Sequence, residues 1–374
     1  MSSPFDPNNV DLDTADPAQV VCYLNASPND YNGHLGARIS ALFVILAVST
    51  FTTIFCVAAV RLRGFKLPLY VYLFARYFGA GVIVATAFIH LLDPAYSEIG
   101  PQTCVGMTKG WDSYSWPPAI ALLSVMIIFL LDFAAERYVE VKYGIAHTDV
   151  DVEHRVVEQR QEGPADGESK PHQHSDLGAQ GETFPSAQVQ SDKKIETEIE
   201  IESLKERIDN HLFREQIAAF LILEFGVIVH SVIIGLNLGV VGDEFATLYP
   251  VIVFHQAFEG LGIGARMSAI PFPKKYRWLP WTLCVAYGLT TPIAIAIGLG
   301  VRTTYSGGSF TANIVSGILD SMSAGILIYT GLVELLARDF LFNPRRTKNN
   351  NQLTFMIISL IAGAGIMALL GKWA

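Results

Sequence analysis

The sequence predicts an all-α polytopic membrane protein: eight transmembrane helices in an inverted-repeat bundle, with a metal site between spans 4 and 5. Three observations carry this reading. The composition is too apolar and too poor in charge for a soluble domain, eight apolar runs are long enough to cross a bilayer, and one histidine motif occurs twice in adjacent runs. Of the 374 residues, 51% are hydrophobic and only 16% are charged, against about 25% charged in soluble domains. The formal net charge of −9 is local, because many of the acids lie between Asp149 and Glu202. It does not call for a basic partner, and no nucleic acid is expected.

A helix needs about 20 apolar residues to cross the hydrocarbon core. Such runs cover 36–60, 67–93, 117–139, 213–241, 247–268, 278–300, 311–336 and 353–371. The N-terminus has no basic segment ahead of an apolar run, so the first span is expected to act as the membrane signal. Basic residues set the orientation. They cluster after span 1 (Arg61, Arg63, Lys66), span 5 (Lys274, Lys275, Arg277) and span 7 (Arg338, Arg345, Arg346, Lys348). Loops after odd-numbered spans are therefore expected in the cytosol, with both termini extracellular. The chain divides into an extracellular N-terminal segment (1–35), spans 1–3 (36–139), a largely disordered cytosolic loop (140–212) and spans 4–8 (213–374).

Two consequences follow outside the membrane. Cys22 and Cys104 both face an oxidising compartment and are candidates for a disulfide, whereas Cys56 and Cys284 fall within apolar runs as small core residues. Asn25-Ala-Ser27 is a glycosylation acceptor followed by Pro28. In the long loop, His147, His154, His172 and His174 are either solvated histidines or a weak cytosolic zinc-binding segment. The stretch 195–213 carries Ile201, Leu204 and Ile208 at helical spacing, which extends span 4 beyond the bilayer.

Span 4 reads His230-Ser-Val-Ile-Ile-Gly-Leu-Asn-Leu-Gly239, and span 5 reads His255-Gln-Ala-Phe-Glu-Gly-Leu-Gly-Ile-Gly264. Both follow H-x4-G-L-x-[LI]-G, the pattern of an internal repeat in helices that run in opposite directions. His255 and Glu259 share a face at i, i+4, and His230 and Asn237 share one at i, i+7. Ser231 and Gln256 add oxygen donors. Gly235, Gly239, Gly260 and Gly264 form small-xxx-small patterns that predict a close approach of the two helices. An unpaired carboxylate at mid-membrane costs roughly 2.5–3.5 kcal/mol or more, so Glu259 needs a cation, a proton or a donor. Nitrogen and oxygen donors without thiolate suit Zn²⁺, and also Fe²⁺, Mn²⁺ or Cd²⁺, rather than Cu⁺. His90 and Asp93 close span 2 as pathway or interface residues. Glu224 is a relay candidate or a partner for Arg76, and Asp132, Asp320 and Glu334 are expected to bond between helices.

These motifs resemble the ZIP (Zrt-/Irt-like protein) metal transporters, in the branch of plant iron-regulated and fungal plasma-membrane zinc transporters. The resemblance covers nearly the whole chain. It implies uptake of divalent metal, most often zinc, into the cytosol across the plasma membrane by an elevator-like movement. It also implies transport-site roles for His230, Ser231, His255, Gln256 and Glu259. Zinc is then cargo rather than a resident cofactor. The bilayer is one partner, and a second copy of the chain is a further candidate. Binuclear members carry a carboxylate four residues after the span 4 histidine, where this chain has Ile234. Span 6 offers only Thr290 and Thr291, so one principal ion is expected. The alternatives are an intramembrane metal-dependent hydrolase, for which no HExxH box is present, and a receptor-like bundle with structural zinc.

Overall fold

The computed structural model describes residues 10–11, 14–25, 31–62, 68–143, 187–304, 308–342 and 347–373, with the backbone alone over 187–212. Among the described residues every regular element is helical. Hydrocarbon demands this, since a spanning segment must satisfy its own backbone groups. A short helix, Pro17–Asn25, comes first. Span 1 is Leu35–Arg61 and span 2 is Leu69–Ala85, which runs through a π-helical turn (Thr86–Leu92) into Asp93–Ile99. Span 3 is Trp116–Tyr143, and span 4 is the end of a helix over Ala187–Val240. Span 5 is Phe245–Ala269 and span 6 is Leu279–Val301. Span 7 is Phe310–Tyr329, continued by a second π turn (Thr330–Ala337) and Arg338–Phe340, and span 8 is Asn350–Leu370.

Seven of these helices are long and apolar enough to cross a membrane on length and composition alone. The span 5 helix falls short of that standard because His255, Gln256, Glu259 and Arg266 dilute its hydropathy. The helix leading into span 4 begins at Ala187, so the loop assigned to 140–212 is helical over its last part. His147, His154, His172 and His174 lie outside the described residues. Residues 133–209 form a compact unit of their own, described only through the helical stretches at its two ends.

Within the other unit, one series of glycine contacts links spans 1, 4, 5 and 6, and another links spans 2, 3, 7 and 8. A Cβ on Gly239 would stand 2.9 Å from Gly298 of span 6, and one on Gly264 would stand 2.5 Å from the Thr53 carbonyl of span 1. A Cβ on Gly288 of span 6 would collide with Thr50 of span 1, which links these two pairs into one set of spans 1, 4, 5 and 6. A Cβ on Gly81 would come within 2.8 Å of Ala364 in span 8, and one on Gly325 within 2.7 Å of Ser124 in span 3. Spans 2, 3, 7 and 8 form the second set. This corrects the expectation for the motif glycines: Gly235 and Gly239 face span 6, while Gly260 and Gly264 face span 1. A small-residue pattern marks a close contact without naming the partner helix. The two sets meet where a Cβ on Gly262 would lie 2.9 Å from Gly79 and where the Phe78 and Phe258 rings stack edge-on at 5.3 Å.

Arg38 ties the start of span 1 to the end of span 4. It is fully buried. Its guanidinium donates to the carbonyls of Gly33 (3.0 Å) and Leu238 (3.0 Å), to Asn32 Oδ1 (3.1 Å) and to the Val241 carbonyl. It also lies over the Phe245 ring, 4.5 Å from the centroid. Leu238 and Val241 are at the helix C-terminus, where carbonyls lack intrahelical partners and attract cations. Asp132 accepts from Tyr329 Oη at 2.8 Å. Arg76 forms a bidentate pair with Asp339, with distances of 2.7 and 2.8 Å, and so is not the partner of Glu224. Cys22 and Cys104 are joined, with Cα atoms 4.4 Å apart, which fastens the Pro17–Asn25 helix to the segment after span 2.

Arg38→Ala should destabilise the protein by about 3 kcal/mol, because buried carbonyls lose a charged donor. The check is a lower thermal-unfolding midpoint in detergent, with Arg38→Lys recovering only part of the loss because it lacks the guanidinium fork. The Cys22→Ser variant should show no mobility difference between reducing and non-reducing gels, whereas the parent should show one.

Candidate metal centre

The connection from span 4 to span 5 is short, running from Val241 to Glu244. His230 and His255 each lie ten residues from the helix end at this connection, which at 1.5 Å per residue is about 15 Å. That depth is close to the middle of a bilayer core. One H-x4-G motif on each arm of a helical hairpin thus puts two imidazoles at one level, with ring centroids 5.4 Å apart. The i, i+4 spacing brings Glu259 Oε2 to 3.6 Å from His255 Nε2. One ligand atom from each of His230, His255 and Glu259 lies within 4.8 Å of the others, and all three side chains are buried.

The surroundings leave much of this polarity unsatisfied by protein. His230 Nε2, Ser231 Oγ, His255 Nε2, Gln256 Nε2 and Glu259 Oε1 are buried without a hydrogen-bond partner. Buried polar atoms are normally paired, so a convergent group of unpaired nitrogens and oxygens is suited to a cation. Two imidazoles and a carboxylate form a donor set for a borderline divalent ion such as Zn²⁺.

His90 and Tyr287 stand beside this cluster. His90 comes from the π turn of span 2, and its ring centroid lies 4.9 Å from that of His255. Its Nε2 meets the Met367 carbonyl at 3.0 Å. A carbonyl only accepts, so Nε2 carries a proton, and in the neutral ring Nδ1 keeps its lone pair. This is the orientation that outer hydrogen bonds impose on metal-binding histidines. From span 6, Tyr287 Oη lies 3.1 Å from Gln256 Oε1 and 3.4 Å from Glu259 Oε2. Tyr287 was not foreseen, because a tyrosine in an apolar run carries no motif. Thr291 is buried with its Oγ1 unpaired, whereas Thr290 Oγ1 bonds back to the Ala286 carbonyl at 3.0 Å.

A cavity of about 220 Å³ opens beside the histidines, lined by His90, Glu98, His230, Asn237, His255 and Asp320 among others. Asn237 is exposed at this cavity and stands apart from the buried trio. One helical face runs for several turns, so i, i+7 spacing does not bring Asn237 to the ligand level. Asp93 is exposed and is not part of the cavity wall. Asp320 was expected to bond between helices. Instead its Oδ1 is buried without a hydrogen-bond partner, as is Glu98 Oε2, and both face the cavity. Glu98 lies past the apolar limit of span 2, so no run marks it in the sequence, but the helix continues to Ile99. Glu224 is buried, with Oε2 unpaired, and lies within electrostatic reach of Glu259 and Tyr287. Asn25 ends the first helix, and the rest of its acceptor triplet lies outside the described residues.

The model of the family described as ZIP Zinc transporter matches residues 35–371, which include all eight spans. The chain is similar to Zinc-regulated transporter 1 of Saccharomyces cerevisiae, at 54% identity over 99% of this chain and 97% of that protein. It is 42% identical to Zinc-regulated transporter 1 of Schizosaccharomyces pombe, over 96% of this chain and 90% of that one. It is 30% identical to Zinc transporter 3 of Arabidopsis thaliana, over 92% and 88% of the two chains. The chain therefore belongs to the ZIP family of zinc transporters, in its fungal zinc-regulated branch.

Proposed function

We propose that this protein carries zinc across the plasma membrane into the cytosol through one principal site formed by His230, His255 and Glu259. Ser231, Gln256 and His90 Nδ1 complete the donor set as the ion moves. The observation that carries this reading is the buried convergence of three ligand atoms within 4.8 Å. Ile234 stands where a bridging carboxylate would be needed for a second ion, and it packs among apolar residues beside Leu238 and Ile252.

The distribution of basic residues supports a cytosolic position for the loops after spans 1, 5 and 7, and hence an extracellular position for both termini. The cavity containing Glu98, Asp320, His90 and Asn237 then faces outward. Two carboxylates with unpaired buried oxygens attract a divalent cation and shed its water stepwise towards the histidines. Glu224 lies on the cytosolic side of Glu259 and receives the ion as it leaves. Spans 1, 4, 5 and 6 move as one body against spans 2, 3, 7 and 8, which fits the backbone packing within each set and the Gly79–Gly262 contact between them. Iron, manganese and cadmium suit the same donors and are candidate competing cargo, and a second copy of the chain is a candidate partner.

His255→Ala and Glu259→Ala should each reduce zinc uptake by roughly a factor of ten or more, the equivalent of at least about 1.4 kcal/mol of lost ligand binding. The measurement is radiolabelled zinc uptake at matched surface expression. Parental uptake in both variants would remove the site assignment.

A further inference from the structure

We propose that Arg266 and Glu334 form an ionic latch between the two helix sets. It holds span 5 against span 7 on the cytosolic side of the zinc site and must release for the site to open inward. The inference rests on the alternating transport reading and adds the residues that set its resting state.

Span 5 presents one stripe to the opposing set. His255, Glu259, Gly262 and Arg266 follow at intervals of four, three and four residues, which is a single helix face. Each point where this stripe touches the other set is specific. His255 meets His90 in the π turn of span 2, Gly262 meets Gly79, and Arg266 meets Glu334 in the π turn of span 7. The two π turns are themselves related in sequence. Thr86–Leu92 reads TAFIHLL and Thr330–Leu336 reads TGLVELL, with His90 and Glu334 at the matching position, both buried. π turns are rare and concentrate at functional sites. Here one grips span 5 at the ion site and the other grips it three helical turns away.

The second grip is ionic. Arg266 Nη2 lies 3.4 Å from Glu334 Oε2, and its Nη1 donates to the Glu334 carbonyl at 3.3 Å. Arg338, one turn along span 7, holds the same Oε2 at 2.9 Å. Glu334 has a side-chain exposure of only 3%, so salt and water screen the pair weakly. Packed interfaces switch between discrete arrangements rather than deforming gradually, so a pair that spans one is made or broken as a unit. The neighbouring pair, Arg76–Asp339, joins spans 2 and 7 inside one set and need not break when the sets move. Arg76, Arg266, Glu334, Arg338 and Asp339 line a cavity of about 390 Å³, which gives the released side chains space to rearrange on the path to the cytosol.

The test uses the full-length carrier in cells, with Ile233→Cys placed in the wall of the outward cavity and labelled by a membrane-impermeant maleimide. Arg266→Gln leaves the Glu334–Arg338 pair in place and should lower outward labelling about threefold as the population shifts inward. Glu334→Gln, which removes the anion instead, should give the same fall. Arg266→Lys and Arg338→Gln should label like the parent. Parental labelling in both glutamine variants at Arg266 and Glu334 would overturn the latch, and so would an equal fall in Arg338→Gln. Failure of the transport reading would show differently, as an absence of zinc uptake by the unsubstituted chain.

Discussion

Glu259 has no exposed surface, and the imidazoles beside it are those of His255, at 3.6 Å, and His230, within the same 4.8 Å cluster. In hydrocarbon such a carboxylate is costly unless something compensates it. The Tyr287 hydroxyl supplies a weak contact to Oε2 at 3.4 Å, and Oε1 remains unpaired by protein. A divalent cation held jointly with His230 and His255 is the compensation that matches the donors. Most of the architecture follows from keeping this cluster buried yet reachable. The cavity that includes Glu98 and Asp320 gives access from one side, and the π turn that presents His90 places a further imidazole against the cluster.

Glycine placement is the second consequence. A helix that carries His255, Gln256, Glu259 and Arg266 is a poor lipid-facing span, so span 5 is enclosed. Gly260 and Gly264 seat it on span 1, and Gly262 seats it on span 2. Span 4 rests on span 6 through Gly235 and Gly239 in the same way. The apolar surplus is displayed elsewhere: Leu122, Leu123, Leu130 and Leu131 of span 3 are all exposed, as a lipid-facing helix requires. Arg38 closes one end of the set that holds the histidines by capping the carbonyls at the end of span 4.

Much of this was legible in the sequence because it is periodic and local. Apolar runs of the required length mark the spans, and the shared H-x4-G-L-x-[LI]-G motif marks the two helices whose histidines meet. What was not legible depends on tertiary neighbours. Tyr287 looks like an ordinary residue of an apolar run until span 6 is packed against span 5. Glu98 lies one turn beyond the apolar limit of span 2, and only the continuation of the helix to Ile99 turns it towards Asp320. The glycine spacing indicated close contacts but not that spans 6 and 1 were the partners. Charge alone makes pairing with Arg76 one of the two roles open to Glu224, whereas Asp339 presents both carboxylate oxygens to the guanidinium of Arg76 and satisfies it more fully. Ion pairing at this depth is decided by geometry as well as sign.

The central claim is that one ion is held by two histidines and one glutamate. It is tested most directly by equilibrium zinc binding to the purified full-length protein, with the ligand shell read by X-ray absorption. The account predicts about one tightly bound zinc per chain with a nitrogen and oxygen shell, lost in a His230→Ala, His255→Ala double variant that remains folded. A sulfur-containing shell, or unchanged binding in that variant, would contradict it.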